Sequence, residues 1–372
     1  MKNNHSEYLN GYGNSISRWL RFGPYYAMFP MEFAFEVIEK YSNPGDYVID
    51  PFFGRGTSIV AASVLGRKSL GIEINPLGWL YTKTKLQPAS KQNVIDRLNE
   101  INDYSSKYKN ELRKQSRFFK LCFCDDVLKF LIASRENLNW KSSKIDATLM
   151  SFILVYLHGK IGEGLSNQMK MTKSMGYNYS IEWWLKNGYE KPPIVDPVEF
   201  LKKRIEWRYE KGKPDLNHNK IFLADASKKL NKIAQEPQSR KYSLLFTSPP
   251  YWSITNYHVD QWLRLWMLGG EAFPKTMTVK NKGRFLSKQN YIDLLDSVFS
   301  ASSKLLKKNG VVYVRTDARE FTLKTTKDIL LKHFPNHKQM IKQRPFMNKT
   351  QTELFGDKSK KPGEVDIIMI RE

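Results

Sequence analysis

Three carboxylates stand at the ends of three apolar runs, and two glycines follow the first. "VIDPFFGRGTSIVAA" carries Asp50, Gly54, Gly56 and Thr57; "SLGIEINP" carries Glu73; "IFLADA" carries Asp225. Gly54 and Gly56 permit positive φ and close backbone approach, and Thr57 can cap the helix that begins there, so a carboxylate or phosphate can sit on its free N–H groups. Glu73 follows the glycines at about the twenty-residue separation from which an acid reaches the hydroxyls of a cofactor ribose. Asp225 can accept a hydrogen bond from an exocyclic amine such as that of adenine. Helix capping alone explains any one such acid; three at successive strand ends point to a bound nucleoside. A fourth run, "LLFTSPPYW", stops on Ser248-Pro249-Pro250-Tyr251. Proline fixes φ at about −65° and removes a donor, so this loop presents a hydroxyl, an aimed carbonyl and a flat ring in rigid array. Taken alone, a Pro-Pro turn beside an aromatic is ordinarily structural.

These residues need a sheet to position them. Short apolar runs alternate with helical patterns, the signature of a mostly parallel sheet with helices on its faces. The strands are expected at Tyr47–Asp50, Ser69–Ile74, Ile221–Ala224, Tyr242–Thr247, Val311–Arg315, Gln339–Gln343 and Val365–Ile370. In such α/β sheets ligands gather outside the carboxyl ends of strands, where the acids and the Ser-Pro-Pro-Tyr loop lie. Between Leu86 and Lys220 the rhythm breaks for a span too long to be a structureless loop. The expected organisation is therefore residues 1–85 as one half of the sheet domain, 86–219 as an inserted, mainly helical domain and 220–372 as the other half. Within the insert, helical spacing shows in Val94–Tyr108 and Pro197–Tyr209, while Gly159–Tyr179 reads as loop.

Across 372 residues, Lys and Arg outnumber Asp and Glu by 60 to 37, a formal charge of +23 that suggests a polyanionic partner such as nucleic acid. The excess is uneven: Pro274–Lys349 holds 17 basic against 5 acidic residues, or +12, and is the expected electrostatic footprint. The two cysteines, Cys122 and Cys124, would point to opposite faces of an extended strand, so they neither pair nor resemble a zinc knuckle, and no metal is expected. Reduced thiols, a polar amino terminus and the lack of an apolar run of about 18 residues lead to the expectation of a cytoplasmic protein without a membrane partner.

Asp50-Pro51-Phe52-Phe53-Gly54-Arg55-Gly56-Thr57, Gly71-Ile72-Glu73-Ile74-Asn75-Pro76 and Thr247-Ser248-Pro249-Pro250-Tyr251-Trp252 together resemble the amino-methyltransferases of DNA. Within these the chain is similar to the SPPY group, typically cytosine-N4 methylases of restriction–modification systems that use S-adenosylmethionine. "FGPYYAMFP", Phe22–Pro30 and so Tyr25, is similar to the segment that closes over the methionine end of the cofactor in that family. The resemblance implies a Rossmann-like seven-stranded sheet in the order 3-2-1-4-5-7-6 with the last strand antiparallel, which puts the strand ending at Asp50 beside the one ending at Thr247. It implies Asp50, Phe52, Phe53, Gly54, Gly56, Thr57, Glu73 and Asp225 around the cofactor, with Phe52 or Phe53 near the adenine. Asp125 or Asp126, in "LCFCDD", competes with Asp225 as the third acid; Asp225 is preferred because it keeps the sheet continuous with the SPPY strand.

An exocyclic amine is a poor nucleophile because its lone pair is delocalised into the ring. Ser248 Oγ and the Pro249 carbonyl can each accept one N–H and hold the lone pair toward the sulfonium methyl, while Pro250 stiffens the turn and Tyr251 stacks on a flipped-out base. Trp252, Asn256 and Tyr257 are expected near that base. Trp262, Leu265 and Trp266 are read as core, and His158 and His258 as bystanders. Duplex DNA is the expected partner, with the insert as target-recognition domain: Asn167, Gln168, Lys170 and Lys173 as base readers, and the basic third, with Lys280, Lys282, Arg284 and Lys288, on phosphates. A cognate restriction endonuclease is a further expected partner. Rival readings are an adenine-N6 methylase of the same group, a guanine-N2 RNA methylase, and a nucleic-acid-binding protein without catalysis.

Overall fold

Each of the seven apolar runs forms a strand. In the computed structural model, which describes residues 6–9, 11–24, 29–171, 174–237, 241–252, 257–274, 287–344 and 363–371, these are β1 (Tyr47–Asp50), β2 (Lys68–Glu73), β3 (Asn219–Leu223), β4 (Tyr242–Thr247), β5 (Leu306–Asp317), β6 (His337–Arg344) and β7 (Glu364–Arg371). They make one sheet in the order β3-β2-β1-β4-β5-β7-β6. β1 pairs in parallel with β2 and β4, β2 with β3 and β4 with β5; β7 is antiparallel to both β5 and β6. Strand order and the antiparallel last strand are those the resemblance implies.

The chain divides into two compact units: a sheet unit of Ala27–Trp79, Leu216–Thr255 and Met277–Glu372, and a helical unit of Met1–Tyr26, Leu80–Asp215 and Asn256–Thr276. The helical unit thus draws on more chain than the expected span 86–219, taking in a stretch before the glycine turn and another after the Ser-Pro-Pro-Tyr loop.

In the sheet unit, period-two alternation gives the strands two apolar faces. Ile49, Leu70, Leu245, Val312, Val314 and Ile367 face one way and meet Leu230, Leu295, Phe299 and Leu330 of the helices Ala226–Ala234, Lys288–Leu305 and Glu320–His333. On the other face Phe29, Phe33, Phe246 and Tyr313 form an aromatic cluster with ring centroids 4.6 to 5.7 Å apart, under the helix Met31–Tyr41. Both faces are covered, as a parallel sheet requires. Gly71 in β2 has no room for a side chain: a Cβ there would lie 2.5 Å from Phe53 Cδ1, so the glycine lets the ring of the turn pack flat against the strand.

In the helical unit, Val94–Tyr108 is the helix Lys91–Ser105 with a 3-10 turn Ser106–Tyr108, and Pro197–Tyr209 is a helix at those bounds, capped by Asp196 with proline in its first turn. The loop expected over Gly159–Tyr179 ends earlier, because Gly176 caps a helix Tyr177–Lys186 that buries Trp184. Asp125 and Asp126 do not end a strand; they open the helix Asp125–Asn137, and β3 is the strand that flanks β2 on the side away from β1. Cys122 ends a helix and Cys124 caps the next, so the extended geometry expected of them is also corrected, though both are free thiols. Trp262 and Trp266 are core residues, as read from their spacing. His158 is fully buried between Lys170 O and Ser174 Oγ, and burial holds its pKa well below the usual value. Among the described residues, no helix is long and apolar enough to cross a membrane.

Candidate active site

The carboxyl ends of β1, β2 and β4 converge through hydrogen bonds. Asp50, fully buried, accepts Thr247 Oγ1 at 2.6 Å from the end of β4, Phe52 N–H at 3.0 Å from its own turn, and the Ser58 hydroxyl from the following helix. Burial raises its pKa to about 6, against the lowering effect of these donors. Its carboxylate ties the glycine turn, the helix and β4 together. The turn runs through Gly54 (φ 55°) and Gly56 (φ 77°), both in the left-handed region the sequence anticipates. Gly56 N–H closes it on Phe53 O at 2.7 Å. The helix is Thr57–Val64 with Gly56 as its N-cap and no side-chain cap, so Thr57 lies inside the first turn and does not cap it.

Glu73, at the end of β2, accepts Gly54 N–H at 2.7 Å and Asn75 N–H at 2.8 Å, one on each oxygen. Its pKa rises to about 7 because of burial, with Asp50 adding to the rise and backbone N–H groups of Asn75, Gly54 and Ile74 opposing it. The acid therefore reaches back to the glycine turn and fixes its shape. Asp225 caps the helix Ala226–Ala234 through Ser227 N–H at 3.0 Å and Ser227 Oγ at 2.7 Å, half-buried just beyond β3. Phe53 is buried under Gly71, whereas Phe52 is half-buried and packs against the edge of the core. One residue escaped the sequence reading: Ile74, directly after Glu73, is 54% exposed. Its signal was an apolar side chain placed beyond the strand-end acid.

β4 ends at Thr247, and Ser248 and Tyr251 follow half-buried, with Pro249 buried between them. Ser248 Oγ donates to Tyr251 OH at 3.4 Å, and Tyr251 OH donates to Glu364 Oε1 at 3.0 Å on β7. Burial, with Glu364 adding to it, holds the Tyr251 hydroxyl well above its ordinary pKa. Trp252 is half-buried, edge-on to Tyr291 and Phe321 at 5.9 and 5.5 Å, and its carbonyl accepts a bond from Arg319. It packs on the sheet unit's core. Lys288 is exposed, its Nζ 5.0 Å from the centre of the Phe321 ring.

In the helical unit, Asn167 is corrected as a base reader. It is fully buried, its amide nitrogen donates to Leu121 O and Tyr189 O at 3.0 Å each, and its oxygen accepts Gln168 N–H at 2.8 Å. Gln168 is half-buried with Oε1 on Ile161 N–H at 3.0 Å, and Lys170 is exposed. Tyr25, Lys173, Asn256, Lys280, Lys282 and Arg284 lie outside the described residues, as does the side chain of Tyr257.

A family model described as DNA methylase, of the N6/N4 type, matches residues 2–77. The chain is 34% identical over 86 residues to the Type II methyltransferase M.MjaII of Methanocaldococcus jannaschii, 22% of this chain and 16% of that protein. It is 47% identical over 49 residues to M.MthZI of Methanothermobacter thermautotrophicus, 13% of this chain and 14% of that protein. These matches support an N4/N6 DNA methylase family. A longer alignment, 24% identical over 341 residues, relates 80% of the chain to 63% of the Type II methyltransferase M.BsoBI of Geobacillus stearothermophilus. The chain thus aligns with less than two thirds of the length of these relatives. Among solved structures it is similar to the rRNA methyltransferase aviRa of Streptomyces viridochromogenes, with 11% identity, a TM-score of 0.33, and 97% of this chain and 96% of that one covered. The fold class rests on the strand order itself rather than on that likeness.

The family implies S-adenosylmethionine as cofactor, and the residues present fit it. Glu73 has four acceptor positions, more than the backbone N–H groups it takes, which leaves capacity for a ribose hydroxyl. Ile74 and Phe52 offer apolar surface for a base, and Gly54 and Gly56 bare the backbone of the turn. A pH dependence follows. Because the folded pKa of Glu73 is raised to about 7, its contribution to stability is present below the unfolded value and is lost as pH rises through about 7. A ribose held by Glu73 would donate its hydroxyls to the ionised form, so cofactor binding would tighten over the same window. Affinity measured by calorimetry is expected to be about tenfold weaker at pH 6 than at pH 8, and nearly flat in Glu73→Gln. Equal slopes in both proteins would remove Glu73 from the ribose site.

Proposed function

We propose that the protein is an S-adenosylmethionine-dependent DNA methyltransferase acting on the N4 amine of a flipped-out cytosine, the protective half of a restriction–modification system. The observation that carries the reading is the bond from Thr247 to Asp50, which joins the root of the Ser-Pro-Pro-Tyr loop to the root of the glycine turn at the topological switch point of the sheet. In this reading Glu73 holds the ribose, Ile74 and Phe52 flank the adenine, and Asp225 faces its amine. Gly54 and Gly56 allow close approach, and Thr57 begins the adjoining helix. Asp50 keeps these parts in register. The cofactor supplies, when bound, a methyl group on a positively charged sulfur.

Ser248 Oγ and the Pro249 carbonyl accept the two N–H bonds of the target amine, turning its lone pair out of the ring and toward that methyl. Pro249 and Pro250 hold the acceptors still, so little reorganisation accompanies the reaction. Tyr251, pinned at its hydroxyl, presents a ring face to the flipped base. A serine in the first loop position favours cytosine, following the group the motif resembles. Gln168, Lys170 and Lys173 of the helical unit read base edges, and Lys282, Arg284 and Lys288 contact phosphates. A cognate endonuclease and a cytoplasmic setting go with this reading.

The test is transfer of radiolabelled methyl from cofactor to unmethylated plasmid or to ribosomal RNA. Label is expected in the plasmid and not in the RNA. Tyr251→Ala is expected to cost about 1–3 kcal/mol of stacking, read as slower turnover with unchanged cofactor affinity. If turnover survived Ser248→Ala and Tyr251→Ala together, the reactive amine would have to bind elsewhere.

A further inference from the structure

Methylation leaves the target nitrogen with one proton too many, and that proton needs a route out of a closed site. We propose that it leaves along a hydrogen-bonded relay from Ser248 through Tyr251 to Glu364, with Glu364 as terminal acceptor and Arg315 as the residue that positions it. The inference rests on the reading of the Ser248–Tyr251 loop as the amine site and adds to it residues from the far, antiparallel side of the sheet.

The geometry has a direction. Ser248 Oγ donates to Tyr251 OH at 3.4 Å, and Tyr251 OH donates to Glu364 Oε1 at 3.0 Å, so both hydroxyl protons point away from the loop and toward the carboxylate. The Ser248 oxygen is thereby left with lone pairs for an incoming amine N–H. In the transfer, the nitrogen lone pair forms the N–CH3 bond and the electrons of the breaking S–CH3 bond stay on sulfur. The surplus N–H proton passes to Ser248 Oγ as the serine proton passes to the Tyr251 oxygen and the tyrosine proton to Glu364. Serine and tyrosine end neutral, and the positive charge that would remain on nitrogen is cancelled on the carboxylate. Tyr251 is a conduit and not a base, since burial keeps its hydroxyl protonated far above the ordinary range.

Glu364 suits the end of such a chain. It is the first residue of β7 and its side chain is 30% exposed, so a proton received from inside can pass to water. The groups facing it come from three elements besides its own strand. Arg315 Nη1 of β5 lies 3.5 Å from Oε2, the oxygen not used by Tyr251. Asp317 of β5 is its partner in register, but that carboxylate is taken up by Arg319 at 2.8 Å. Arg344 of β6 is opposite in register and bonds Asp366 at 2.9 Å, and the Ser248–Tyr251 loop completes the set. Arg315 is itself fixed by two bonds to Asp366, at 2.7 and 3.0 Å, and stacks over the Phe33 ring at 3.4 Å. The carboxylate is thus held on one oxygen by a fixed guanidinium while the other meets the tyrosine.

Glu364→Gln separates relay from scaffold, because the amide oxygen still accepts the Tyr251 hydroxyl but cannot take up a proton. With the full chain and plasmid DNA, kcat is expected to fall by about tenfold or more. KM for DNA, the cofactor dissociation constant and the melting temperature should stay within about twofold or a few degrees. Tyr251→Phe, which keeps the ring, should lose as much, and the double variant no more than either alone, since both interrupt one chain. Glu364→Asp should recover part of the rate. Wild-type kcat in Glu364→Gln would overturn the relay while leaving the amine site standing. If the wild-type protein transferred no methyl to DNA, both would fall together.

Discussion

Replacing Asp366 with alanine is expected to destabilise the sheet unit by about 3–5 kcal/mol. Asp366 is fully buried in β7 and accepts two bonds from Arg315, one from Tyr313 OH at 2.8 Å and one from Arg344. Burial alone would raise its pKa, but hydrogen bonds and charge from Arg315, with Tyr313 and Arg344, hold it below the ordinary range. The stabilisation is therefore present above the unfolded carboxyl pKa and is lost as pH falls through the lower folded one. Alanine would leave the buried Arg315 guanidinium without its main counter-charge, which is costlier than never having had the pair. Urea unfolding of the full chain measures the loss, and a change below about 1 kcal/mol would mean the guanidinium is compensated some other way. Arg315→Met with Asp366→Leu should recover most of the stability, since an apolar pair of similar volume needs no charge balance.

The second large effect is on cofactor binding. In the proposed site Glu73→Ala removes the acceptor for the ribose hydroxyls, and each charge-assisted hydrogen bond contributes about 1.5–3 kcal/mol, so the dissociation constant should rise at least about tenfold. Alanine also strips the N–H groups of Gly54 and Asn75 of their acceptor, so the turn itself should loosen. Glu73→Gln keeps an acceptor oxygen in place and isolates the charge. A folded Glu73→Ala protein with unchanged cofactor affinity would show that Glu73 serves the turn alone.

Much of this architecture is legible because the sheet is mostly parallel and its central strands are buried on both faces. Tyr242–Thr247 was bounded correctly by a lysine on one side and Ser-Pro-Pro on the other. β5 was read five residues too short at its start because "LKKNG" is polar, yet Leu306 pairs with Tyr242 across a register shift there. The glycine turn is visible in the sequence, since glycine at both 54 and 56 allows the positive φ that each adopts. What could not be seen was where polar atoms go. Asn167 sits in a polar stretch that reads as surface, and only the fold reveals that its amide satisfies carbonyls 46 and 22 residues away. Glu364 carries no local signal either, because its partner Tyr251 lies 113 residues earlier and the two meet only when β7 folds back antiparallel beside β5. Asp50 was recognised as a site residue from its position, but that its carboxylate serves the turn, the helix and Thr247 is a property of three elements together.

The most direct test of the central claim is nucleoside mass spectrometry of plasmid DNA after incubation with the protein and isotopically labelled cofactor. Label is expected in N4-methylcytosine within duplex DNA, at one recurring sequence, and none after Ser248→Ala with Tyr251→Ala. Label in N6-methyladenine, or label confined to RNA, would contradict it.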